Sequence, residues 1–514
     1  MTRRHRIWAS IAALTVLPPT SLLMASSATA ATACSVTSTA DSGPGSLRQA
    51  LLALDSSNGA DCSAISITAI GTIALQSKLP IIGSSVAITG PGALALTIDG
   101  GGQHPILTAA LPANGLLAVS RLSLAHGEGA ECAACNDIGA TSGGAIRATA
   151  KNAKGAIKVS DVTFTANTST TSGGAIWAGS LPVTIINSTF TENRAEGDEG
   201  GAVEAGAATV VHSTFTGNFS GGDGGAISAD WVHIRTSTFT GNQAADGGAL
   251  SFMSTRGGHI ASTTFDSNST TGQGGAVYAW AFDQRATSFL DCRFTGNSAD
   301  LDGGAISAQF NDEFGKLGPR GALTISRSTF DGNDARRGGA VSSDMFASTS
   351  ATNATFTGNR ARGSGGAMSI TRGGSVSLRF ITIVANAART AGGGIRARAA
   401  SLSLLDSIVW GNTAKTGSDL SDASKRATVS YTVFSLPTSV VMPSTRKSPG
   451  VIYGRDPLLA PLADNGGPAP TMLPAAGSPV INAGAKVPGM PRTDQRGLPR
   501  TTGNKPDLGA VEID

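Results

Sequence analysis

The sequence is poor in charged and aromatic residues. Of 514 residues, only 14% are Asp, Glu, Lys or Arg, and only 5% are Phe, Trp or Tyr. The 38 basic and 35 acidic residues nearly cancel, so no excess of positive charge indicates a nucleic acid as partner. Only five cysteines are present, a number that fits an oxidising compartment but not a disulfide-rich scaffold.

Long hydrophobic runs are missing beyond the N-terminus. Arg3 and Arg6 precede an apolar stretch over residues 7–24 and then a cluster of small residues, which together predict a secretory signal peptide over 1–30. No later segment is long and apolar enough for a membrane-spanning helix. We therefore expect no integral membrane segment after signal removal. The mature chain is expected to be secreted or on the extracellular surface, with the periplasm as the alternative.

Glycine, by contrast, is abundant and periodic. The 67 glycines are nearly twice the usual share of ~7%. Many belong to a repeat in which Phe-x-x-Asn is followed by Gly-Gly-Ala and an aliphatic residue, as in Phe190, Asn193 and then 200–203. Successive Gly-Gly pairs lie 23 to 35 residues apart, most often 27. A fixed period in this range predicts a solenoid.

The composition of the repeats decides which solenoid to expect. Thr, Ser, Val and Ile dominate, and short β-branched runs bounded by Gly and Asn are typical of strands. About 27 residues with two or three short strands correspond to one turn of a parallel β-helix, in which neighbouring turns pair at about 4.8 Å. The predicted fold class is all-β, a right-handed single-stranded parallel β-helix.

Equivalent repeat positions should stack along such a helix. We expect each Phe, and the apolar residue five positions before it, to form inward columns, with a small residue two positions before the Phe. The Asn is expected at a turn, in left-handed backbone, with its carboxamide hydrogen-bonded to its copies along the axis. The Gly-Gly pair should allow positive φ or close contact between turns. All these positions are interpreted as scaffold.

The ends of the chain depart from the repeat. Ser46 and Gln49 form a capping box that predicts a short helix, and Leu47 and Leu51 lie on its apolar face. The predicted organisation is a signal peptide, an N-terminal cap, irregular β-helix rungs, regular repeats, and C-terminal rungs with a cap, over 1–30, 34–63, 64–142, 143–412 and 413–514.

These motifs also resemble known families. The Phe-x-x-Asn and Gly-Gly-Ala-Ile pair resembles the repeats of chlamydial polymorphic outer-membrane proteins. Residues 43–52 are similar to the CSLREA segment of bacterial surface β-helix proteins, with Gly45 in place of Cys and Gln49 in place of Glu. Residues 456–512 resemble choice-of-anchor β-helix proteins. The resemblance implies an exported, adhesin-like right-handed β-helix.

The cysteine positions favour disulfide bonds over a catalytic role. Cys34 and Cys62 flank the predicted N-terminal cap and are candidates to pair. Cys132 and Cys135 form a C-x-x-C for which a local disulfide is preferred over metal or redox chemistry. Cys292 occupies a small inward position and is interpreted as a buried free thiol.

Stacking would also bring acidic residues together. The residue before Gly-Gly in five consecutive repeats is Glu199, Asp223, Asp246, Gln273 and Asp302. Their four carboxylates are candidate catalytic groups, and a column of carboxylates could repel or bind Ca²⁺, the one cofactor considered. The competing interpretation is that they are solvated turn residues.

Aromatic residues fall near the same face. Trp177, Glu204 and Tyr278 follow the Gly-Gly-Ala-aliphatic element at equivalent positions, and Asp230, Trp231 and Trp280 lie slightly further along. Exposed rings beside carboxylates suit binding to a polysaccharide or a cell-surface glycan. Alternatively, Trp231 and Trp280 pack under side loops.

The sequence is compatible with two functions. One is a non-enzymatic β-helix that binds glycan or cell-surface ligands through a lateral face. The alternative is a polysaccharide lyase or glycoside hydrolase that uses carboxylates stacked on that face. The sequence contains no compact set of acid and base residues, which favours the first.

Overall fold

The computed structural model describes residues 33–56, 62–132, 137–253, 257–281, 285–310, 320–442, 449–500 and 504–513. These residues form a right-handed parallel β-helix of about 13 turns, which confirms the predicted fold class. The predicted signal peptide lies outside the described residues. Within them, the strands belong to one sheet of 35 strands, one of nine and one of two.

The N-terminal part contains the α-helix and the least regular turns. The helix Leu47–Ser56 begins after Ser46, whose Oγ accepts a hydrogen bond from Gln49 N at 3.2 Å. Leu47, Leu51 and their apolar neighbours are buried, and a disulfide joins Cys34 to Cys62. The strands of this part are Ala33–Val36, Ala64–Ile67, Gly71–Ala74, Val86–Thr89, Leu96–Asp99, Leu107–Leu111 and Gly115–Ala125, followed by the antiparallel pair Ala130–Cys132 and Asp137–Ser142.

Each regular turn contains up to four strands, named here by position. The Gly strands follow the Gly-Gly pairs and are Ile146–Ala150, Ile176–Trp177, Val203–Ala205, Ile227–Ala229, Leu250–Met253, Val277–Ala281, Ile306–Phe310 and Val341–Asp344. The middle strands are Pro182–Ile186, Ala207–Val211, Val232–Arg235, Gly258–Ala261, Ala286–Leu290 and Arg320–Ser326. The Phe strands are Thr189–Thr191, Thr214–Thr216, Thr238–Thr240, Thr264–Asp266, Arg293–Thr295 and Thr329–Asp331.

The remaining strands complete the cross-section. The Asn strands, which form the nine-stranded sheet, are Thr168–Ser169, Arg194–Ala195, Phe219–Ser220, Gln243–Ala244, Ser269–Thr270, Ser298–Ala299, Asp334–Ala335, Arg360–Ala361 and Ala387–Ala388. In some turns adjacent strands merge, giving Gly155–Thr165, Phe346–Thr357, Met368–Val384 and Ile395–Trp410. The last turns contain Leu420–Asp422, Ala427–Phe434, Val440–Val441 and Ile452–Tyr453, and single 3₁₀ turns lie at Lys151–Ala153 and Pro437–Ser439.

A column of phenylalanine rings fills one side of the core. Phe190 pairs in register with Phe164 and Phe215, and the pattern continues to Phe356. Neighbouring rings stack with centroids 4.4 to 5.1 Å apart and planes within 10° of parallel. The column is fully buried, so the repeat spacing places equivalent side chains on top of one another.

The asparagines form a second buried column. Each carboxamide donates through Nδ2 to Oδ1 of the Asn in the next turn at 2.8 to 3.0 Å, from Asn167 to Asn412. Asp419 ends the column by accepting from Asn412 at 3.0 Å. The expectation that these Asn residues adopt left-handed backbone was wrong. The preceding residue does so, for example Glu192 with φ 54°, which leaves the Asn free to point inward.

The Gly-Gly pair serves both expected purposes, one at each position. Gly224 has φ +67°, a conformation that residues with a Cβ rarely adopt. A Cβ on Gly225 would lie 2.1 Å from the carbonyl oxygen of Gly248 in the next turn. The first glycine therefore makes the corner, and the second lets adjacent turns approach closely.

The C-terminal segment from residue 456 onward packs back along the outside of earlier turns. Gln495 donates through Nε2 to Thr329 Oγ1 at 2.7 Å and accepts from Thr355 Oγ1 at 2.7 Å. Arg500 of the same segment is fully buried, and its guanidinium lies 4.1 Å from the centroid of the Phe380 ring in an earlier turn. The segment thus ties several late turns together.

Candidate functional site

The side chains of the Gly strands that lie on the face opposite the apolar core form one continuous column, and eight of its eleven members are buried. In register order the members are Arg147, Trp177, Glu204, Ser228, Ser251, Tyr278, Ser307, Ser342, Ser369, Arg396 and Ser421. Beside this column lie the residues that precede Gly-Gly, and the backbones of Glu199, Asp223 and Asp246 pair directly in consecutive turns. We call Glu199, Glu204, Asp223, Asp246, Ser228, Ser251 and Tyr278 the acidic groove.

Hydroxyl groups of the column donate to carboxylates of the preceding turn. Ser228 Oγ donates to Glu199 Oε2 at 2.9 Å, and Ser251 Oγ donates to Asp223 Oδ2 at 3.4 Å. Tyr278 is buried among these groups. Its burial and the charges of Asp246 and Asp223 raise the pKa of its hydroxyl, so it stays protonated and can donate a hydrogen bond.

Three of the acids, Glu204, Asp223 and Asp246, have a raised pKa. Burial, together with the charges of Glu199 and Asp230, raises the pKa of Glu204 to about 7, although Gly179 N–H donates to its Oε2 at 3.2 Å. Burial and the charges of Asp246 and Glu199 raise the pKa of Asp223 to about 6. Burial also raises the pKa of Asp246. The groove therefore holds both carboxylic acids and carboxylates near neutral pH.

The structure separates Asp302 from this group. Gln273 interrupts the acidic column, and its Oε1 lies 3.4 Å from Ser307 Oγ. Asp302 is 4% exposed and accepts from Arg337 Nε at 2.8 Å, with a second bond to Nη2. Sequence reasoning missed Arg337, although it occupies the same pre-Gly-Gly position one repeat further on and pairs with Asp302 in the backbone.

The aromatic residues are half-buried at the rim of the groove. The Arg147 guanidinium lies over the Trp177 ring, 4.7 Å from its centroid, so it covers one face of the indole. Trp280 lies beside Tyr278, with ring centroids 6.2 Å apart. Trp231 is half-buried next to Asp230, just after the Gly strand Ile227–Ala229 ends. Trp177 and Trp280 belong to Gly strands, whereas Trp231 does not.

The cysteines with described side chains are a disulfide pair, Cys34 and Cys62, and one buried thiol, Cys292. Burial raises the pKa of the Cys292 thiol to about 12, which keeps it protonated and unreactive. Cys135 lies outside the described residues, and of Cys132 only the backbone is described. In the described part of the chain, no group of three or more His, Cys, Asp or Glu side chains is placed to hold a metal ion.

Comparison with known proteins identifies the repeat. A model of the Chlamydia polymorphic membrane protein repeat matches residues 161–179, 212–230, 262–279 and 291–309. This chain carries polymorphic membrane protein repeats. Each match contains the corner before a Phe strand, the Phe and Asn of the two columns, and the Gly-Gly pair. The matched segments include Asp223, Ser228 and Tyr278 of the acidic groove.

Other comparisons are more distant. A mannuronic acid specific polysaccharide family 6 lyase enzyme from human gut microbiota aligns with 76% of this chain and 85% of its own, at 8% identity and a TM-score of 0.30. No curated protein matches the chain in sequence. Among the described residues, no helix is long and apolar enough to cross a membrane.

The raised pKa of Glu204 predicts a pH-dependent stability. The folded chain holds a proton on this residue above 4.5, its ordinary pKa, where the unfolded chain has released it. This contribution is fully present below pH 4.5 and is lost as the pH rises through about 7. Between these two pH values, the free energy of unfolding of the wild type should fall by on the order of 1–2 kcal/mol relative to that of Glu204→Gln, after allowance for solvent screening. Urea unfolding across the pH series measures this difference.

The matched control for this prediction is Glu196→Gln. Glu196 is exposed, and its hydrogen bond with Arg194 lowers its pKa. Glu196→Gln should lose as much stability as the wild type does between pH 4.5 and pH 7. Equal pH profiles for the wild type and Glu204→Gln would contradict the assignment.

Proposed function

We propose that the chain is an exported, adhesin-like β-helix protein that binds a glycan or cell-surface ligand along the acidic groove without chemical turnover. The observation that carries the proposal is the continuous register of the groove. Side chains that can bind sugars recur at the same register position in consecutive turns, from Trp177 to Tyr278. The polymorphic membrane protein repeats support the adhesin-like assignment.

The chemistry of the groove suits the hydroxyl groups of a sugar chain. Carboxylates accept hydrogen bonds from hydroxyls, and the protonated acids and Tyr278 can donate them. The half-buried rings of Trp177 and Trp280 offer apolar surface to the flat faces of sugars. Glu199, Asp223 and Asp246 would repel an anionic chain, so a neutral or amino-sugar glycan fits best.

Glycan-array binding tests the proposal. We expect Trp280→Ala and Asp223→Asn each to weaken binding of the best neutral glycan by about tenfold, because each removes a direct contact. Tyr453→Ala is the matched control, since this ring is 42% exposed far along the chain from the groove. Equal loss in the control, or no loss in either groove variant, would overturn the assignment.

One observation favours the catalytic alternative. A carboxyl with a pKa of about 7 beside other carboxylates is the arrangement of a general acid. A panel of uronic-acid and neutral polysaccharides separates the two functions, and the binding proposal expects no products. Unsaturated products or new reducing ends that disappear in Glu204→Gln or Asp223→Asn would establish a lyase or hydrolase instead.

A further inference from the structure

A second surface lies on the C-terminal side of the acidic groove and carries the opposite charge. It follows the Asn strands, where Ala335, Ala361 and Ala388 pair in register. The residue after each of these alanines is an arginine, and Ala414 in the following turn is followed by a lysine. We call Arg336, Arg362, Arg389 and Lys415 the basic ladder.

The ladder residues are exposed and closely spaced. All four side chains are exposed, and consecutive turns lie about 4.8 Å apart. Arg337 and Arg360 extend the patch on either side. Upstream, the equivalent column contains Asp300 in place of an arginine. The change from acid to base therefore occurs within one turn.

A cavity of about 440 Å³ opens in this patch. It is lined by Arg360, Arg362, Arg389 and three alanines. The small methyl groups leave room between the guanidinium groups, so an anionic group can reach several of them at once. Guanidinium forks bind carboxylate and sulfate oxygens in bidentate fashion.

The patch is only partly neutralised from within. Arg362 Nε lies 3.3 Å from Asp334 Oδ1, and Arg362 Nη1 lies 3.4 Å from Asp300 Oδ1. Arg336 and Arg337 both form ion pairs with Asp302. Three carboxylates thus face six basic side chains. Arg389 forms no ion pair with a described residue, and Arg360 has only longer-range attraction to Asp334. The remaining positive charges repel each other, and a bound anion would relieve that repulsion.

We infer that the basic ladder is a binding site for an acidic polysaccharide, a linear glycan that carries carboxylate or sulfate groups. Cations repeat along the axis once per turn, so they match a chain with regularly spaced anions. None of the described residues that line the cavity is aromatic, so they offer a single-stranded nucleic acid no ring on which to stack its bases. The site uses no residue of the acidic groove and does not depend on the function proposed for it.

Binding of the intact mature chain to heparin, polygalacturonate and neutral dextran tests this inference. The variant Arg360→Gln/Arg389→Gln removes two charges that form no close ion pair. We expect it to weaken binding of heparin or polygalacturonate at least tenfold in 0.15 M salt. The wild type should bind dextran no better than the variant does, and its affinity for the acidic chain should fall as salt is raised.

The control Arg235→Gln/Arg455→Gln removes the same charge from exposed positions outside the patch. It should retain wild-type affinity, as should Trp280→Ala, which tests the acidic groove alone. Equal losses in both arginine pairs would show attraction by net charge only and overturn the site. Tighter binding of a DNA oligonucleotide than of either acidic glycan would overturn the assigned ligand class.

Discussion

Replacing Phe265 with Ala is expected to destabilise the β-helix by about 3–5 kcal/mol. The ring is fully buried between Phe239 and Phe294, with centroids 5.1 and 4.8 Å away. Its removal leaves a cavity in the middle of the column and exposes two ring faces to empty space. Because each turn is stabilised mainly by its neighbours, the loss should spread to adjacent turns. Urea unfolding followed by far-ultraviolet circular dichroism measures the change.

Phe219→Ala is the matched control for this deletion. Phe219 is half-buried outside the core, where the Arg194 guanidinium covers its ring at 3.9 Å. The same atoms are removed, but the space opens to solvent and leaves no cavity. A cost of about 1 kcal/mol is expected. Equal costs at the two positions would show that the Phe column does not carry the stability assigned to it.

Replacing Asn268 with Ala should cost a similar amount, about 3–5 kcal/mol, for a different reason. Its Oδ1 accepts from Asn242 N and Nδ2, and its Nδ2 donates to Asn297 Oδ1 and to the carbonyl of Phe239, all at 2.9 to 3.0 Å. The full hydrogen-bonding capacity of the carboxamide is used, and the residue is fully buried. Alanine leaves those partners unsatisfied, and the same unfolding experiment reports the cost.

Asn268→Asp separates hydrogen bonding from packing. The shape is kept, but an ionised carboxylate cannot donate and would lie against two oxygen acceptors. Burial raises the pKa of such a group, so stability should be highest at low pH and should fall as the pH rises through that raised value. Asn187→Asp is the control, because Asn187 is exposed in the same repeats. Identical pH profiles for the two variants would contradict a closed hydrogen-bonded column.

Much of the scaffold could be predicted because it repeats. The spacing of Phe190, Phe215 and Phe239 predicted stacked rings, and the structure places them in register. The conformation of the Asn residues could not be read in the same way. Asn is common in left-handed backbone, so its presence suggested a corner, but Glu192 and its equivalents occupy that corner. A residue preference is local, whereas the inward position of the Asn follows from contacts between turns.

The sequence predicted which residues of the candidate site share a column, but it did not predict their ion pairs or pKa values. The shared pre-Gly-Gly position predicted that Glu199, Asp223 and Asp246 fall in one column, and their backbones pair in consecutive turns. It also grouped Asp302, whose carboxylate is instead held by Arg337 from the next turn. The pKa of Glu204 depends on burial, on the charge of Glu199 in the same turn and on that of Asp230 in the next. The burial is not visible in the repeat itself.

The sequence alone determined the solenoid, because a period near 27 residues with β-branched strands and paired glycines leaves few other ways to bury the apolar positions. It also determined which residues share a column, since register fixes that relationship. The tertiary structure decided which side chains in neighbouring columns neutralise each other and which stay unpaired. Those outcomes depend on side-chain direction and desolvation across turns, and such distances are set only once the chain has coiled.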